Sequence, residues 1–220
     1  MTAVIFDLDG TLVDSAPDLH RAANQLMKQV GCDPFDLAEV TSFIGNGVPV
    51  LIQRVMAARG LAADRHGDLV AAFLRYYEAD PVALTRPYPD LAGALEALVN
   101  DGAVLGVCTN KPVAPTRRIL AALGLAERFR AIVGGDSLTV RKPDPAPLLL
   151  AQSETGAGAC VFVGDSEIDA ETAGRAGVPF VLFTKGYRKA PVTEIPHAAT
   201  FSDFRDLPGV IRRVVAQGAD

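Results

Sequence analysis

From Asp90 onward the chain alternates helical patterns with short β-branched runs, and this alternation limits the fold more than any other feature. Helical spacing over Leu91 to Val99, Val113 to Leu123, Ala146 to Glu154 and Glu167 to Ala176 separates apolar runs at Ala103 to Cys108, Ala131 to Val133, Cys160 to Val163 and Val178 to Phe183. An earlier run, Ala3 to Leu8, opens the series. Runs this uniformly apolar are buried on both faces, which implies a parallel sheet with helices on either side, a doubly wound, Rossmann-like α/β domain. With 220 residues, 49% of them hydrophobic, the chain has enough apolar material for one such domain carrying an insertion.

The insertion falls after the first strand. Between Ala16 and Ala83 there is no strand pattern, but Leu19, Ala22, Ala23, Leu26, Met27 and Val30 keep helical spacing between Pro17 and a terminating Gly31. Val50, Leu51, Val55, Met56 and Ala58 form a second apolar face, and Leu69, Val70, Phe73, Leu74 and Tyr77 a third. We read a helical cap domain over 15–83 and an α/β core assembled from 1–14 and 84–220. Asp14 to Pro17 and Leu84 to Pro89 join them, proline-stiffened segments that suit two hinges. Arg213 to Asp220 reads as a helix fraying into a tail.

Charge and cysteine usage narrow the function. The formal net charge is -5 with no long block of either sign, so the footprint of a nucleic-acid binder is missing and a small molecule is the expected partner. The first basic residue is Arg21, and no apolar run reaches the roughly 18 residues of a membrane span, so a cytoplasmic protein without a membrane partner is expected. Cys32, Cys108 and Cys160 are too far apart for a CxxC signature and read as buried free thiols. Monomer and homodimer are equally compatible with these features.

Asp7 and Asp9 emerge directly from the apolar run Val4-Ile5-Phe6, where an unpaired carboxylate is costly to bury. Alternation along a strand points both the same way. A second acidic pair, Asp165 and Asp169, ends the run in "VFVGDSEID", and ligands of open parallel sheets gather at that carboxyl rim. Converging carboxylates need a cation, and hard oxygen donors select Mg²⁺ or Ca²⁺, with Mg²⁺ favoured where a phosphate also binds. A carboxylate can then act as nucleophile on a phosphate ester while a neighbour donates a proton. Lys142 in "VRKPDP" is a candidate counter-charge, and Thr109 and Asn110 in "VCTNKP" could cradle a phosphate.

Together, "DLDGTLVDS", "TNK", "KPDP" and "GDSEID" resemble the four motifs of the haloacid dehalogenase superfamily of phosphohydrolases, in the family's order, with a helical cap after the first. The resemblance implies Asp7 as nucleophile forming an aspartyl-phosphate, and Asp9 as the acid that protonates the leaving group and then activates water. It implies that Thr109 binds the phosphoryl group and that Lys142 balances charge. Mg²⁺ would be held by Asp7, Asp165 and the Asp9 carbonyl, with Asp169 as an additional ligand or a partner of the ligands. The implied sheet order is 5-4-1-2-3. Dehalogenases of the superfamily lack a counterpart of Asp9 and use no metal, so Asp9 implies a phosphate ester. "IGNGVPVLIQR", "RPYPD", "LGVCTNKP" and "KPDPAPLLL" are most similar to the bacterial phosphoglycolate phosphatases, with Asp90 in place of a usual glycine. The implied substrate is 2-phosphoglycolate.

Plainer readings stand beside these. Asp165, Glu167 and Asp169 also suit helix caps, Thr109-Asn110 a helix start, and Lys142 a solvated turn. Gly45-Asn46-Gly47 is either a turn or a cap loop touching substrate, and His20 is either solvated or turned toward the site. A sugar-phosphate phosphatase or β-phosphoglucomutase-like enzyme fits the same motifs. A phospho-accepting receiver domain fits less well, because it needs neither Asp9 nor a lid.

Overall fold

Side chains of the first strand, β1 (Thr2–Phe6), belong to two different apolar layers. Val4 and Phe6 join one buried cluster, Ala3 and Ile5 another, so the strand is covered on both faces and must lie inside a sheet. The computed structural model, which describes residues 1–217, places β1 between parallel neighbours on both sides.

The chain then leaves the sheet. A two-residue strand, β2 (Val13–Asp14), leads into α1 (Ala16–Val30), α2 (Leu37–Phe43), α3 (Val48–Arg59) and α4 (His66–Ala79). The return segment β3 (Arg86–Pro87) pairs antiparallel with β2, so both connections of the insertion run side by side. The four helices bury a cluster of their own, in which Leu26, Met27, Ile52, Val55 and Phe73 are fully enclosed. Buried Asp18 ties the root of α1 to the return segment, accepting from the N–H groups of Leu84 and Thr85 and from the Thr85 hydroxyl. Helix α2 has no counterpart in the apolar periodicity because it buries Val40 alone. It is held instead by a capping box in which Asp36 and Glu39 each satisfy the other's backbone N–H.

From there the alternation proceeds as the sequence pattern implies, through α5 (Leu91–Asn100), β4 (Val104–Cys108), α6 (Val113–Ala122), β5 (Ala131–Val133), α7 (Ala146–Thr155), β6 (Ala159–Gly164), α8 (Glu167–Ala176) and β7 (Phe180–Phe183). A last strand, β8 (Ala199–Phe201), precedes α9 (Leu207–Gln217). Every pairing in the main sheet is parallel, and the order is β5-β4-β1-β6-β7-β8. Counted along this sheet alone the order is 6-5-4-1-2-3, which differs from the expected 5-4-1-2-3 by the sixth strand. That strand escapes sequence reading because only Phe201 of its three residues is fully buried and it occupies the sheet's edge. Helices α5, α6 and α9 cover one face of the sheet and α7 and α8 the other. Cys108 and Cys160 are buried free thiols, whereas Cys32 is half-buried. Of the expected frayed tail, 218–220 lie outside the described residues. No helix among the described residues is long and apolar enough to cross a membrane.

Candidate active site

The adjacency of β1 and β6 brings the two acidic segments to one rim. Strand β1 ends at Phe6, two residues short of the expected limit. The Asp7 N–H still reaches across to the Val163 carbonyl (2.9 Å), and then the chain turns, with the N–H groups of Leu12 and Val13 both on the Leu8 carbonyl (3.0 Å each). Asp9 therefore reaches the rim from a turn, not by strand alternation. Asp165 follows the last residue of β6 and is fixed by two donors: Thr11 Oγ1 to Oδ1 (2.7 Å) and the Tyr187 N–H to Oδ2 (2.6 Å). Gly10 makes this approach possible. Its φ is +89°, and a Cβ there would stand 2.5 Å from Asp165 Oδ2.

Lys142 comes from the segment between β5 and α7 and is buried among the acids. Its Nζ lies 3.0 Å from Asp7 Oδ1 and 2.7 Å from Asp169 Oδ1. Burial opposes the ammonium, but Asp169 and Asp7 outweigh it and hold the Lys142 pKa above the ordinary lysine value. Asp169 also takes the N–H groups of Asp165 and Ser166 and the Ser166 hydroxyl on Oδ2, and with Ser166 forms the capping box of α8. The plain reading of Asp169 as a helix cap and its expected place near the metal are thus both physically present. Burial raises the Asp7 carboxyl to about 6 against the pull of Lys142, with Asp169 and Asp9 adding to the rise. Asp165 is raised as well, by burial first and then by Asp169 and Asp7.

On the other side of β1, the end of β4 supplies Thr109, Asn110 and Lys111. The Thr109 hydroxyl oxygen accepts the Lys111 N–H (3.2 Å), which leaves its own proton to donate into the cavity that it lines. Asn110 lines the same cavity, but its Nδ2 is committed to the carbonyls of Lys142 (3.1 Å) and Gly45 (3.3 Å). Lys111 Nζ contacts both oxygens of Asp9, at 3.0 and 2.8 Å, and donates to the Tyr77 hydroxyl from α4 (3.1 Å). Ser15 Oγ completes the Asp9 environment at 2.6 Å. Sequence reading did not single out Lys111, Tyr77, Ser15, Thr11 or Tyr187. Only Lys111 carried a visible signal, as a cation directly after Thr109-Asn110 at a strand end.

A cavity of about 140 Å³ opens between these loops and the helical bundle, with Asp7, Asp9, Thr109 and Lys111 on the core side. Gly45 and Gly47 line it from the bundle, whereas Asn46 turns away to accept from Arg54 Nη2 (2.7 Å). His20 is not among the lining residues. Its Nε2 lies 2.9 Å from both the Phe35 carbonyl oxygen and Asn24 Nδ2, a bond set internal to the bundle.

A second, smaller pocket of about 30 Å³ is bounded by Asp7, Asp9 and Asp165. Asp7, Asp165 and Asp169 each offer an oxygen within 4.8 Å of the others. Asp7 Oδ1 is buried, with the Lys142 ammonium 3.0 Å away as its partner. An all-oxygen donor set and crowding that raises carboxyl pKa values fit a hard divalent cation.

Comparison with known proteins agrees with this geometry. Residues 4–183 match the family described as haloacid dehalogenase-like hydrolase. The chain is 54% identical over 218 residues to a phosphoglycolate phosphatase of Cereibacter sphaeroides, covering 98% of this chain and 100% of that one. It is 45% identical to the phosphoglycolate phosphatase of Rhodospirillum rubrum, covering 93% and 88% of the two chains. A crystal structure of a predicted phosphoglycolate phosphatase from Haemophilus somnus superimposes with a TM-score of 0.88 at 35% identity, covering 95% and 97%.

Proposed function

The chain belongs to the haloacid dehalogenase-like hydrolases, and from that premise we propose that it is a Mg²⁺-dependent phosphomonoesterase that converts 2-phosphoglycolate to glycolate and phosphate. The observation that carries the reading is Asp7: it lines the cavity at the rim, Lys142 Nζ fixes its Oδ1 at 3.0 Å, and its neighbour Asp9 lines the same cavity. A carboxylate held in place by a fixed cation at the wall of a cavity is the arrangement that a nucleophile on a phosphate dianion requires.

In the proposed reaction an Asp7 oxygen bonds to phosphorus as the ester P–O bond breaks, and Asp9 gives its proton to the departing glycolate oxygen. Thr109 Oγ1 and Lys142 Nζ hold the transferring phosphoryl oxygens. Water then attacks the aspartyl-phosphate, its proton passing to Asp9, and the Asp7–phosphorus bond breaks to release phosphate. Asp7, Asp165 and the Asp9 main-chain carbonyl would hold the Mg²⁺, whose charge offsets the repulsion between carboxylate and phosphate. Asp169, saturated by Lys142 and its own helix start, serves to aim Lys142. The bundle, hinged at its paired connections, acts as a lid that limits water during the first transfer. At about 140 Å³ the cavity is well below the size of pockets that take larger ligands, which favours a small ester over a hexose phosphate.

The test is phosphate release from 2-phosphoglycolate against a panel of hexose phosphates, with chelator and after Mg²⁺ is restored. The expected result is highest kcat/KM for 2-phosphoglycolate, loss with chelator and recovery with Mg²⁺. Full turnover in chelator or preference for a hexose phosphate would overturn the corresponding part. Isomerised phosphosugar would identify a mutase, and a stable phosphoprotein without turnover a receiver.

A further inference from the structure

The cavity wall is chemically uneven. Away from the carboxylates it is apolar, formed by Leu19, Ile44, Val48, Leu51 and Leu74. Its charged residues are Asp7, Asp9, Glu78 and Lys111, so Lys111 is the single cation among the described lining residues. An anionic group entering this space would meet three acids and a wall that cannot solvate it, unless it reached Lys111.

Lys111 is held with unusual care for a residue that the proposed chemistry does not use. It is 9% exposed, its Nζ lies 2.8 Å from Asp9 Oδ2, and it donates to the Tyr77 hydroxyl at 3.1 Å. Asp9 and Lys111 belong to the core and Tyr77 to the bundle, so the ammonium is aimed from both sides of the cavity. The phosphoryl group already has Lys142 on the far side of Asp7. Lys111 instead stands beside Asp9, the proposed proton donor to the leaving oxygen, and therefore beside the leaving group.

We infer that Lys111 is the receptor for a second negative charge on the substrate, a carboxylate carried by the leaving group, and that it sets the preference for phosphorylated small acids over neutral phosphate esters. The inference rests on the phosphatase reading and deepens it. The incoming carboxylate takes one of the ammonium donors now used by Asp9, while Tyr77 keeps Nζ in place. No bond in the reaction involves Lys111, so its contribution is selectivity.

The experiment compares kcat/KM for 2-phosphoglycolate and for 2-hydroxyethyl phosphate, in which a neutral hydroxymethyl group replaces the carboxylate. Wild type should favour the acid by about 100-fold or more, as expected for a buried charge pair. Lys111→Gln should lower turnover of the acid by about 100-fold and of the neutral ester by about fivefold or less, collapsing the ratio. Lys111→Arg should keep most of the ratio, and Tyr77→Phe should reduce it by about fivefold through loss of one hydrogen bond. Inhibition by glycolate should weaken in Lys111→Gln while inhibition by inorganic phosphate stays near wild type. Equal losses on both esters would assign Lys111 to holding Asp9 and overturn the inference. So would an unchanged ratio in Lys111→Gln, or a ratio that collapses in Lys189→Gln, a lysine of the smaller pocket. Wild-type protein that releases phosphate from neither ester would overturn the phosphoglycolate reading itself, and the inference with it.

Discussion

On the carboxylate rim Lys142 is shared between Asp7 and Asp169, and Asp165 is gripped by Thr11 and the Tyr187 N–H. The bundle face above offers the cavity mainly hydrocarbon, with Glu78 as its charged group among the described lining residues and the Tyr77 hydroxyl and the Gly45 carbonyl among its hydrogen bonds to the core loops. Groups on the rim are over-determined by charge and hydrogen bonds; groups on the bundle face are placed by packing. A reacting centre needs the first kind of order, because a displaced nucleophile loses rate steeply. A surface that sorts substrates and opens to release them works with the second, because packing can separate and reform with few buried charges exposed.

The division predicts very different responses to mutation. Asp7→Asn should lower phosphate release by about 10⁴-fold or more, since it removes the proposed nucleophile and not merely an aid to it. No single truncation on the apolar bundle face should approach that. Retained turnover in Asp7→Asn would falsify the assignment of the chemistry to the rim.

Stability should divide in the same way. Lys142→Met leaves Asp7 and Asp169 without their shared cation, and stranding buried charges costs about 3 to 5 kcal/mol. A urea midpoint close to wild type would mean that the acids rearrange to water, and that the rim is less rigid than its contacts imply. Val48→Ala, at a half-buried position lining the cavity from the bundle, should act on selection instead. We expect KM to rise about three- to tenfold with kcat nearly unchanged, as for loss of methyl groups from an apolar pocket. A fall in kcat with unchanged KM would show that the bundle takes part in the transition state.

The same contrast governs what could be read in advance. The apolar runs disclosed five of the six strands of the sheet because their residues alternate between two buried layers, as in β6 with Val161 and Val163 on one face and Cys160 and Phe162 on the other. They missed β8 and α2, which bury one residue apiece. Asp7 and Asp9 stood out as candidates because two charges at an apolar strand end have no packing explanation, whereas Thr109, Lys142 and Asp165, each of which alone suits a helix start, a turn or a cap, stood out only when the four motifs were taken together. Their supports did not stand out: Tyr187 reaches Asp165 from 22 residues away, and Tyr77 reads as one more apolar position of α4 until the fold sets it against Lys111. His20 illustrates the opposite limit. Its helix position allowed a place at the cavity, and only the packed bundle shows its ring committed to Phe35 and Asn24.

Between the two regions, at the joint where the chain re-enters the core, Asp90 provides the gentlest test. It is the one non-glycine residue among those described with positive φ, at 61°, directly before α5. This left-handed conformation accounts for the glycine usual at the position in the family that the sequence resembles. Aspartate tolerates it better than most residues do, and glycine would relieve the strain while giving the unfolded chain more freedom. The ion pair with Arg205, 3.6 Å away and exposed, contributes little. Asp90→Gly should therefore raise the urea midpoint by no more than about 1 kcal/mol equivalent, with both kcat and KM unchanged. If it altered KM instead, the joint would be transmitting the bundle's position to the cavity, and the boundary between a rigid rim and a movable face would have to be drawn on the core side of Asp90.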